Sequence, residues 1–419
     1  MAEKMADRIP QVGILPYDIL ISIADAAAAK EVLLARSRFP KQLEHYETLT
    51  FFGRNIIASE GEEWKKYRRI VAPAFSDRNS KLVWTETVDI MNDLFKNVWA
   101  KQPVIELEHA LDITLPIALF VIGAAGFGRR ISWNEDHVVP SGHQLTFKQA
   151  LHEVTTGVLV KLITPVWAKT FSARARQVDH AFDELDKYMT EMIHARRSAE
   201  KRDERYDLFT SLLDANDQDQ TEGTLTIREL MGNVFIFLVA GHETTAHTLC
   251  FTFAMLALYP EEQEMLYQHI KSVLGDEERI PVTGIPKWSP EATVLNSQGG
   301  IPIPQGAQVL INVVALHHNP RYWRDPEQFK PSRFMEENWP RDAFLPFSLG
   351  PRACLGRKFF ETEGIAILTM MVSKYKIELK PSPDDEKLSF EEKKAKLLQT
   401  FLGITLTPVK VPLIFKRRK

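Results

Sequence analysis

The stretch Phe347-Ser-Leu-Gly350-Pro-Arg352-Ala-Cys354-Leu-Gly356 says most about the fold and chemistry of this chain. Its two glycines suit a tight turn whose backbone N–H groups can point at the cysteine sulfur and keep it as a thiolate. A lone cysteine in such a turn is better suited to haem iron than to zinc, which needs three or four ligands close together. Arg352 offers a cation for a carboxylate such as a haem propionate. Taken as residues alone, the stretch is also compatible with a buried structural cysteine in a Gly-Pro loop.

The composition indicates a large globular protein with a reduced cysteine. The chain has 419 residues, 44% of them hydrophobic, and a formal net charge of −3, which gives no global reason to expect nucleic-acid binding. Cys250 and Cys354 are its two cysteines, so no disulfide framework is expected. That usage fits a reducing compartment, where a thiolate can serve as a ligand.

Nothing in the hydropathy pattern predicts a membrane span. The uncharged, apolar run from Ile113 to Gly128 is interrupted by Pro116 and falls short of the ~20 apolar residues that a spanning helix needs. We therefore predict a buried core helix there, since a membrane-embedded helical protein would need a longer run. The charged start of the chain is typical of neither a signal peptide nor an anchor, which predicts a soluble or peripheral protein.

Helical periodicity dominates the chain and predicts a single domain over residues 1–419, mainly α with small β-sheets. Thr226-Ile-Arg-Glu229 has the form of a capping box and predicts a long helix that ends near Tyr259, where Pro260 begins the next. The polar residues 214–223 predict a solvated loop. Helices are predicted over 26–38, 60–75, 80–99, 105–125, 145–170 and 174–198, and short strands near 19–23, 308–314, 376–379 and 404–415.

Inside the long helix lies the segment Ala240-Gly241-His242-Glu243-Thr244-Thr245. Ala240 and Thr244 share one face with Gly241 beside them, so small residues there would let a flat cofactor or dioxygen approach closely. The Thr244 hydroxyl can bond the carbonyl of residue 240 or open the helix to water, and Glu243 can pass protons inward. The same pattern also suits a Ser/Thr-rich packing seam with one solvated glutamate.

Trp64 and Arg68 fall on one helical face, four residues apart. An indole N–H and a guanidinium in that arrangement can hold a carboxylate. Alone, the pair is more typical of an ordinary Trp–Arg stack on the surface.

Together these motifs resemble the cytochrome P450 family. The spacing F-x-x-G-x-R-x-C-x-G of residues 347–356 is similar to the haem-ligand loop of that family, and residues 240–245 resemble its oxygen-activation motif. Residues 64–68 stand where the family has W-x-x-x-R, and residues 325–334 resemble the segment ahead of the cysteine loop. The resemblance is nearly continuous from Asp18 to Arg417.

The resemblance implies a role for each of these residues in a haem-thiolate monooxygenase with the cytochrome P450 fold. Cys354 would be the axial ligand of the iron of haem b, in the loop formed around Gly350, and Phe347 would pack beside its sulfur. Thr244 would organise a proton relay fed by Glu243. The remaining cofactor contacts implied are propionate anchors at Arg352, Trp64 and Arg68, and a close approach of the helix at Ala240 and Gly241.

The family resemblance also implies the partners. An external NADPH-cytochrome P450 reductase-type donor would supply two electrons, because no flavin or nicotinamide fingerprint is present. One atom of O2 would enter an apolar C–H bond of a small molecule, with fatty acids, terpenoids and polycyclic aromatics equally open. The parent family works on the cytosolic face of the endoplasmic reticulum membrane.

Two departures from the family stand out. The usual N-terminal anchor and first helix have no counterpart, and no E-x-x-R occurs between Gly241 and Cys354. Similarity resumes on both sides of Ser289–Pro290, so we predict an internal deletion near 289–291 and a fold that is incomplete there. Arg333, which matches the third member of a structural triad, is expected to lose its partners, at a cost of about 3–5 kcal/mol if buried.

Those departures raise an alternative function. The chain would then be a truncated or mis-spliced remnant of an active parent that binds haem poorly or not at all.

Overall fold

The computed structural model describes residues 14–15, 18–100, 102–131, 133, 138–164, 167, 171–198, 206–218, 224–274, 308–402 and 405–418. Contacts divide the chain into two compact units. The smaller unit is Met1–Lys41 with Ile285–Arg357, and the larger unit is Gln42–Gly284 with Lys358–Lys419.

Helices outnumber strands in the described residues. The helices are α1 (Ala26–Leu34), α2 (Gly61–Val71), α3 (Asp77–Asp93), α4 (Leu111–Val121), α5 (Phe147–Ile163), α6 (Ala173–Ser198), α7 (Leu208–Gln218), α8 (Ile227–Leu258), α9 (Pro260–Leu274), α10 (Val313–His317), α11 (Arg357–Lys374) and α12 (Phe390–Leu397). The strands are β1 (Ile14–Leu15), β2 (Asp18–Ile23), β3 (Val104–Leu107), β4 (Gln308–Ile311), β5 (Tyr375–Leu379), β6 (Thr400–Leu402), β7 (Leu406–Pro408) and β8 (Leu413–Arg417).

The smaller unit is built on a three-stranded sheet in the order β1-β2-β4. β2 pairs with β1 in antiparallel and with β4 in parallel, with Ile23 opposite Ile311. α1 follows β2 directly and begins at Asp25, whose carboxylate accepts the N–H of Ala28. Buried side chains from the sheet, α1, α10 and the later loops form one apolar core, which includes Leu316 and positions the cysteine loop.

α8 is the central helix of the larger unit. Its capping box is present, because Thr226 accepts the N–H of Glu229 and the Glu229 carboxylate accepts the N–H of Thr226. Its 32 residues span ~48 Å, and most of them are buried. α8 is long and apolar enough to cross a membrane, but 67% of its most apolar window is buried inside this unit, as expected of a core helix.

Several elements hold α8 in place. α4 packs along it, and α4 continues as one π-type turn, Ile122–Gly126. That apolar stretch is buried, which confirms the core helix predicted over this part of the chain. An antiparallel sheet, in the order β3-β8-β5, lies against α8 through β5. The Gln263 side chain fastens α9 to that sheet by donating to the Ile377 carbonyl and accepting its N–H.

The mainly helical prediction with small sheets is confirmed, but several local predictions are wrong. The helix predicted from residue 105 begins only at Leu111, because Val104–Leu107 pairs with β8. The strand predicted through residue 314 ends at Ile311, because Asn312 caps a short helix. The loop predicted from residue 214 is helical as far as Gln218. The predicted seam at 289–291 lies outside the described residues.

Candidate active site

The cysteine loop of the smaller unit closes on itself through backbone hydrogen bonds. The Cys354 N–H donates to the Phe347 carbonyl at 2.9 Å, and the Ala353 N–H donates to the Gly350 carbonyl at 3.0 Å. Ser348 and Gly350 both have positive φ, at 61° and 75°. The sequence therefore specifies a compact turn that presents residue 354 at its end.

Gly350 is required for two reasons. Its φ lies in the left-handed region, which costs other residues free energy. In addition, a Cβ there would lie 2.9 Å from the carbonyl oxygen of Leu33 in α1. The turn thus rests directly on the backbone of α1.

The two cysteines differ in their surroundings. Cys354 is exposed, whereas Cys250 is buried on α8, and neither forms a disulfide. Burial, together with the nearby charge of Asp112, raises the pKa of the Cys250 thiol to about 12, so it stays protonated. Among the described residues no group of three His, Cys, Asp or Glu side chains could hold a metal ion. The one accessible thiol, Cys354, therefore fits a haem iron, which takes a single ligand from such a loop, and does not fit zinc.

One strip of α8 is exposed although the helix is otherwise buried. Ala240, Thr244 and Thr248 line this strip at four-residue steps. Gly241 has another role, because a Cβ there would lie 2.9 Å from the Ile122 side chain and would push α8 away from the π-type turn after α4. The exposed strip of small side chains at Ala240 and Thr244 fits a flat group, whereas Gly241 serves helix packing.

Thr244 and Glu243 contact different partners. The Thr244 hydroxyl donates to the Ala240 carbonyl at 2.6 Å, as the sequence predicts. The Glu243 carboxyl is 8% exposed and lies next to the hydroxyl of Thr405, 3.4 Å away. Burial raises the pKa of Glu243, although hydrogen bonds from Thr405 and Thr155 oppose that shift. The raised pKa favours the protonated form, which can donate a proton.

α2 carries Trp64 and Arg68. Trp64 is 5% exposed and Arg68 is half-buried, so the alternative of a Trp–Arg stack on the surface is wrong for Trp64. The next turn ties α2 to the start of α8, because the Tyr67 hydroxyl donates to the Glu229 carboxylate at 2.8 Å. Lys66 forms an ion pair with the same carboxylate at 3.3 Å.

Arg333 departs most clearly from its expected state. Arg333 is half-buried and its guanidinium donates to four backbone carbonyls, so its charge is not left unpaired as we expected. Carbonyl dipoles and partial exposure to water stabilise the charge, and the loss of the triad partners stays a prediction. The four acceptors are the carbonyls of Arg324, Asp325, Gln328 and Lys330, at 2.9–3.1 Å.

A comparison with models of protein families shows to which family this chain belongs. The model "Cytochrome P450" matches residues 3–289 and 279–407, which together span most of the chain. This chain belongs to the cytochrome P450 family. The two matched segments overlap at residues 279–289. A haem cofactor, a redox partner and monooxygenase chemistry with O2 follow from membership of this family.

Curated relatives agree with that assignment. The chain is 49% identical to cytochrome P450 monooxygenase 124 of Postia placenta over 446 positions, covering 99% of this chain and 86% of that protein. Because this P450 has only 419 residues, at least 27 of the 446 aligned positions have no residue of this chain opposite them. It is 28% identical to cytochrome P450 monooxygenase ORF6 of Penicillium roqueforti, covering 96% of this chain and 81% of that protein.

Solved structures show that the P450 fold is present. The crystal structure of the cytochrome P450DA heme domain superposes with a TM-score of 0.78 at 24% identity, covering all of this chain and 92% of that one. A zebra fish cytochrome P450 solved with progesterone gives a TM-score of 0.72 at 21% identity, covering 98% of this chain and 96% of that one.

Two residues near the P450 proton motif were missed from the sequence. His247 lies one helical turn after Glu243, and Thr405 contacts both side chains from the C-terminal part of the chain. The four-residue spacing on α8 was a usable signal for His247. No local pattern marks Thr405, because it lies 162 residues from Glu243.

Proposed function

We propose that this chain is a haem-thiolate monooxygenase that inserts one oxygen atom of O2 into an apolar organic substrate. Electrons come from an external NADPH-dependent reductase, since no flavin or nicotinamide fingerprint occurs in the sequence. The observation that carries the proposal is the exposed Cys354 at the end of a turn built around Gly350.

In this proposal Cys354 is the axial ligand of the iron of haem b. When bound, the haem activates dioxygen, because a thiolate ligand donates electron density that favours cleavage of the O–O bond. Phe347 packs beside the sulfur, and the propionates are held by cationic and N–H donors at Arg352, Trp64 and Arg68.

Proton delivery falls to the pair on α8. Burial raises the pKa of Glu243 and so favours its protonated form, which holds a proton that it can give up. The Thr244 hydroxyl stands on the exposed strip and accepts or passes that proton. The small side chain of Ala240 leaves room on the strip for the cofactor and for O2.

The substrate is apolar. Phe237 and Ala240 border the strip on which Thr244 lies, and neither side chain offers a hydrogen bond to a polar substrate. Fatty acids, terpenoids and polycyclic aromatics all meet this condition. We further propose that the protein works on the cytosolic face of the endoplasmic reticulum, as its parent family does.

A specific observation favours an alternative, namely that the chain is an inactive remnant. The family model matches in two segments that meet at 279–289, and the relative from Postia placenta has at least 27 aligned positions without a counterpart here. The break in the family match supports a deletion in this part of the chain, where the sequence also lacks E-x-x-R, and the unmatched positions support missing residues without locating them. Sequencing the transcript across Trp288–Val294 tests mis-splicing, which is excluded if the short form is the abundant one.

The deciding experiment is the ferrous carbon monoxide difference spectrum of this chain, expressed with ample haem. Cys354→Ser is the test variant and Cys250→Ala is the matched control, because Cys250 is buried and protonated. We expect the red-shifted Soret band of a thiolate complex in the wild type and the control, and its loss in Cys354→Ser. Failure of the wild type to take up haem, or a band without thiolate character, would establish the remnant instead.

A further inference from the structure

We propose that His247 resupplies Glu243 with protons through the hydroxyl of Thr405. This inference rests on the proposed function, in which Glu243 feeds protons to Thr244, and it adds the group that reloads Glu243. His247 and Thr405 thereby become positioning and relay residues on a buried face of α8, beside the exposed strip.

The geometry joins the three side chains in a row. Thr405 Oγ1 lies 2.9 Å from His247 Nδ1 and 3.4 Å from Glu243 Oε2. Glu243 and His247 are one turn apart on α8, and both are buried. Thr405 lies between β6 and β7, so the hairpin brings one hydroxyl between the two titratable groups.

A single hydroxyl between two titratable groups transfers a proton without moving itself. When Glu243 is protonated, it donates to Thr405 Oγ1, and the Thr405 hydroxyl hydrogen points at the bare His247 Nδ1. When Glu243 has lost its proton, the hydroxyl hydrogen points at the carboxylate and His247 Nδ1–H donates to Oγ1.

The reloading step balances in protons. His247 takes a proton from a water molecule of the solvent at Nε2, which leaves hydroxide in the solvent, and gives up the proton at Nδ1. The bond from Nδ1 to hydrogen breaks as Thr405 Oγ1 gains that hydrogen, and Oγ1 passes its own hydrogen to the Glu243 carboxylate. Glu243 ends neutral, His247 ends neutral with its proton at Nε2, and Thr405 is unchanged.

The surroundings suit such a relay. Burial lowers the pKa of His247, with a further contribution from the charge of His109, so the ring is neutral and able to accept near neutral pH. His109 is itself half-buried. Other titratable groups act on this cluster through their charges: His152 and His247 act on His242, and Asp112 and Lys410 act on His109.

The relay predicts one tautomer. With Glu243 protonated, the Thr405 hydroxyl donates to His247 Nδ1, so the neutral ring carries its proton at Nε2. Histidine ¹⁵N NMR of the diamagnetic ferrous carbon monoxide form reports that tautomer directly, and His247→Gln assigns the signal among the 12 histidines.

The test compares Thr405→Val, which removes the hydroxyl, with Thr405→Ser, which keeps it. Thr407→Val is the matched control in the same hairpin, and its hydroxyl bonds only the Thr405 carbonyl among the described contacts. We expect Glu243→Gln to shift the titration of His247 in the wild type and in Thr405→Ser, and to have no effect in Thr405→Val.

The same variants are then assayed for NADPH oxidation with an added NADPH-cytochrome P450 reductase, in H2O and in D2O. Thr405→Val should slow the reaction about tenfold or more and change its solvent isotope effect, as expected when a proton relay is cut. Thr405→Ser should restore both, which a purely structural role of the hairpin does not predict.

The relay is wrong if Thr405→Val and Thr407→Val behave alike in both measurements. It is also wrong if His247 carries its proton at Nδ1 while Glu243 is protonated. If the chain takes up no haem, the proposed function is refuted. The NMR titration of the haem-free chain then still tests whether Glu243, Thr405 and His247 are joined by hydrogen bonds.

Discussion

The guanidinium of Arg333 donates to the carbonyl of Gln328 at 2.9 Å, five residues before it in the chain. Three further carbonyls from the same short segment accept its other donors. The segment ahead of the cysteine loop is thus wrapped around its own arginine, and the positive charge is stabilised by backbone dipoles. A loop held in this way depends on Arg333 even when no carboxylate pairs with it.

Replacing Arg333 with Gln should therefore loosen residues 324–333. Four charge-assisted hydrogen bonds are lost, and partial exposure reduces their effect, so we expect a loss of about 1–3 kcal/mol in local stability. Hydrogen exchange of the backbone amides measures it. Arg324→Gln is the control, because the Arg324 side chain is 95% exposed and only its carbonyl contacts Arg333. Equal exchange in the two variants would contradict the role of the guanidinium.

Gly350→Ala should destabilise the cysteine loop more than Gly61→Ala destabilises α2. Both glycines have positive φ, so both variants incur the same kind of backbone strain, about 1–2 kcal/mol. Only at Gly350 would the new Cβ also meet a backbone oxygen, that of Leu33, whereas nothing lies within 4 Å at Gly61. Thermal unfolding of the two variants measures the difference. If they unfold at the same temperature, the contact with α1 does not constrain the loop.

Stability should fall in acid because of Glu184. Burial by itself would raise the pKa of this carboxyl, but hydrogen bonds from Lys187, the Gln144 N–H and His143 lower it to about 2, from a usual 4.5. The carboxylate therefore stabilises the folded state above pH 4.5, and that stabilisation is lost as the pH falls from 4.5 towards 2.

Urea unfolding above and below pH 4.5 tests this pH dependence. Glu184→Gln should lose stability at the higher pH and show a flatter acid response than the wild type. Glu191→Gln is the control, because Glu191 also bonds His143 but is 65% exposed. If the unfolding free energy of Glu184→Gln depends on pH as strongly as that of the wild type, this carboxylate is not the source of the acid response.

Glu363 should have the opposite dependence. This carboxyl on α11 is fully buried, and among the described residues its Oε1 has no hydrogen-bond partner. Burial raises its pKa well above the usual 4.5, so the folded state keeps the proton that the unfolded state releases. The contribution of Glu363 to stability is then greatest at low pH and decreases as the pH rises above 4.5.

Glu363→Gln should remove this decrease and raise the unfolding free energy near neutral pH, as measured by urea unfolding. The same substitution at Glu361, a partly exposed position on the same helix, serves as the control. If the unfolding free energies of the wild type and of Glu363→Gln change with pH in the same way, the Glu363 carboxyl has a hydrogen-bond partner in the folded protein.

Thr244→Val should leave folding intact. The Thr244 hydroxyl is exposed and bonds a carbonyl of its own helix, a contact that slightly destabilises helices, so we expect a change below about 0.5 kcal/mol. In the haem-loaded enzyme the variant should release more hydrogen peroxide per NADPH, because proton delivery is altered. Thr252→Val repeats the substitution two turns on, where the hydroxyl makes the same kind of contact. Equal peroxide from both variants would argue against a special role of Thr244.

The sequence by itself determined the features that depend on neighbouring residues. The turn around Gly350, the capping box of Thr226 and Glu229, and the back-bonded hydroxyl of Thr244 each involve residues within four or five positions, so their spacing is visible in the chain. The same is true of the mainly helical fold, because periodicity is a local signal.

Only the tertiary structure decided which partners distant residues find. Thr405 lies between Glu243 and His247, and Gly241 packs against Ile122. Val104–Leu107, predicted to be partly helical, pairs with β8 in a sheet. The physical reason is the same in each case. A local pattern states what a residue can bond or bury, whereas the long-range packing of α8, α4 and the C-terminal strands determines what lies beside it.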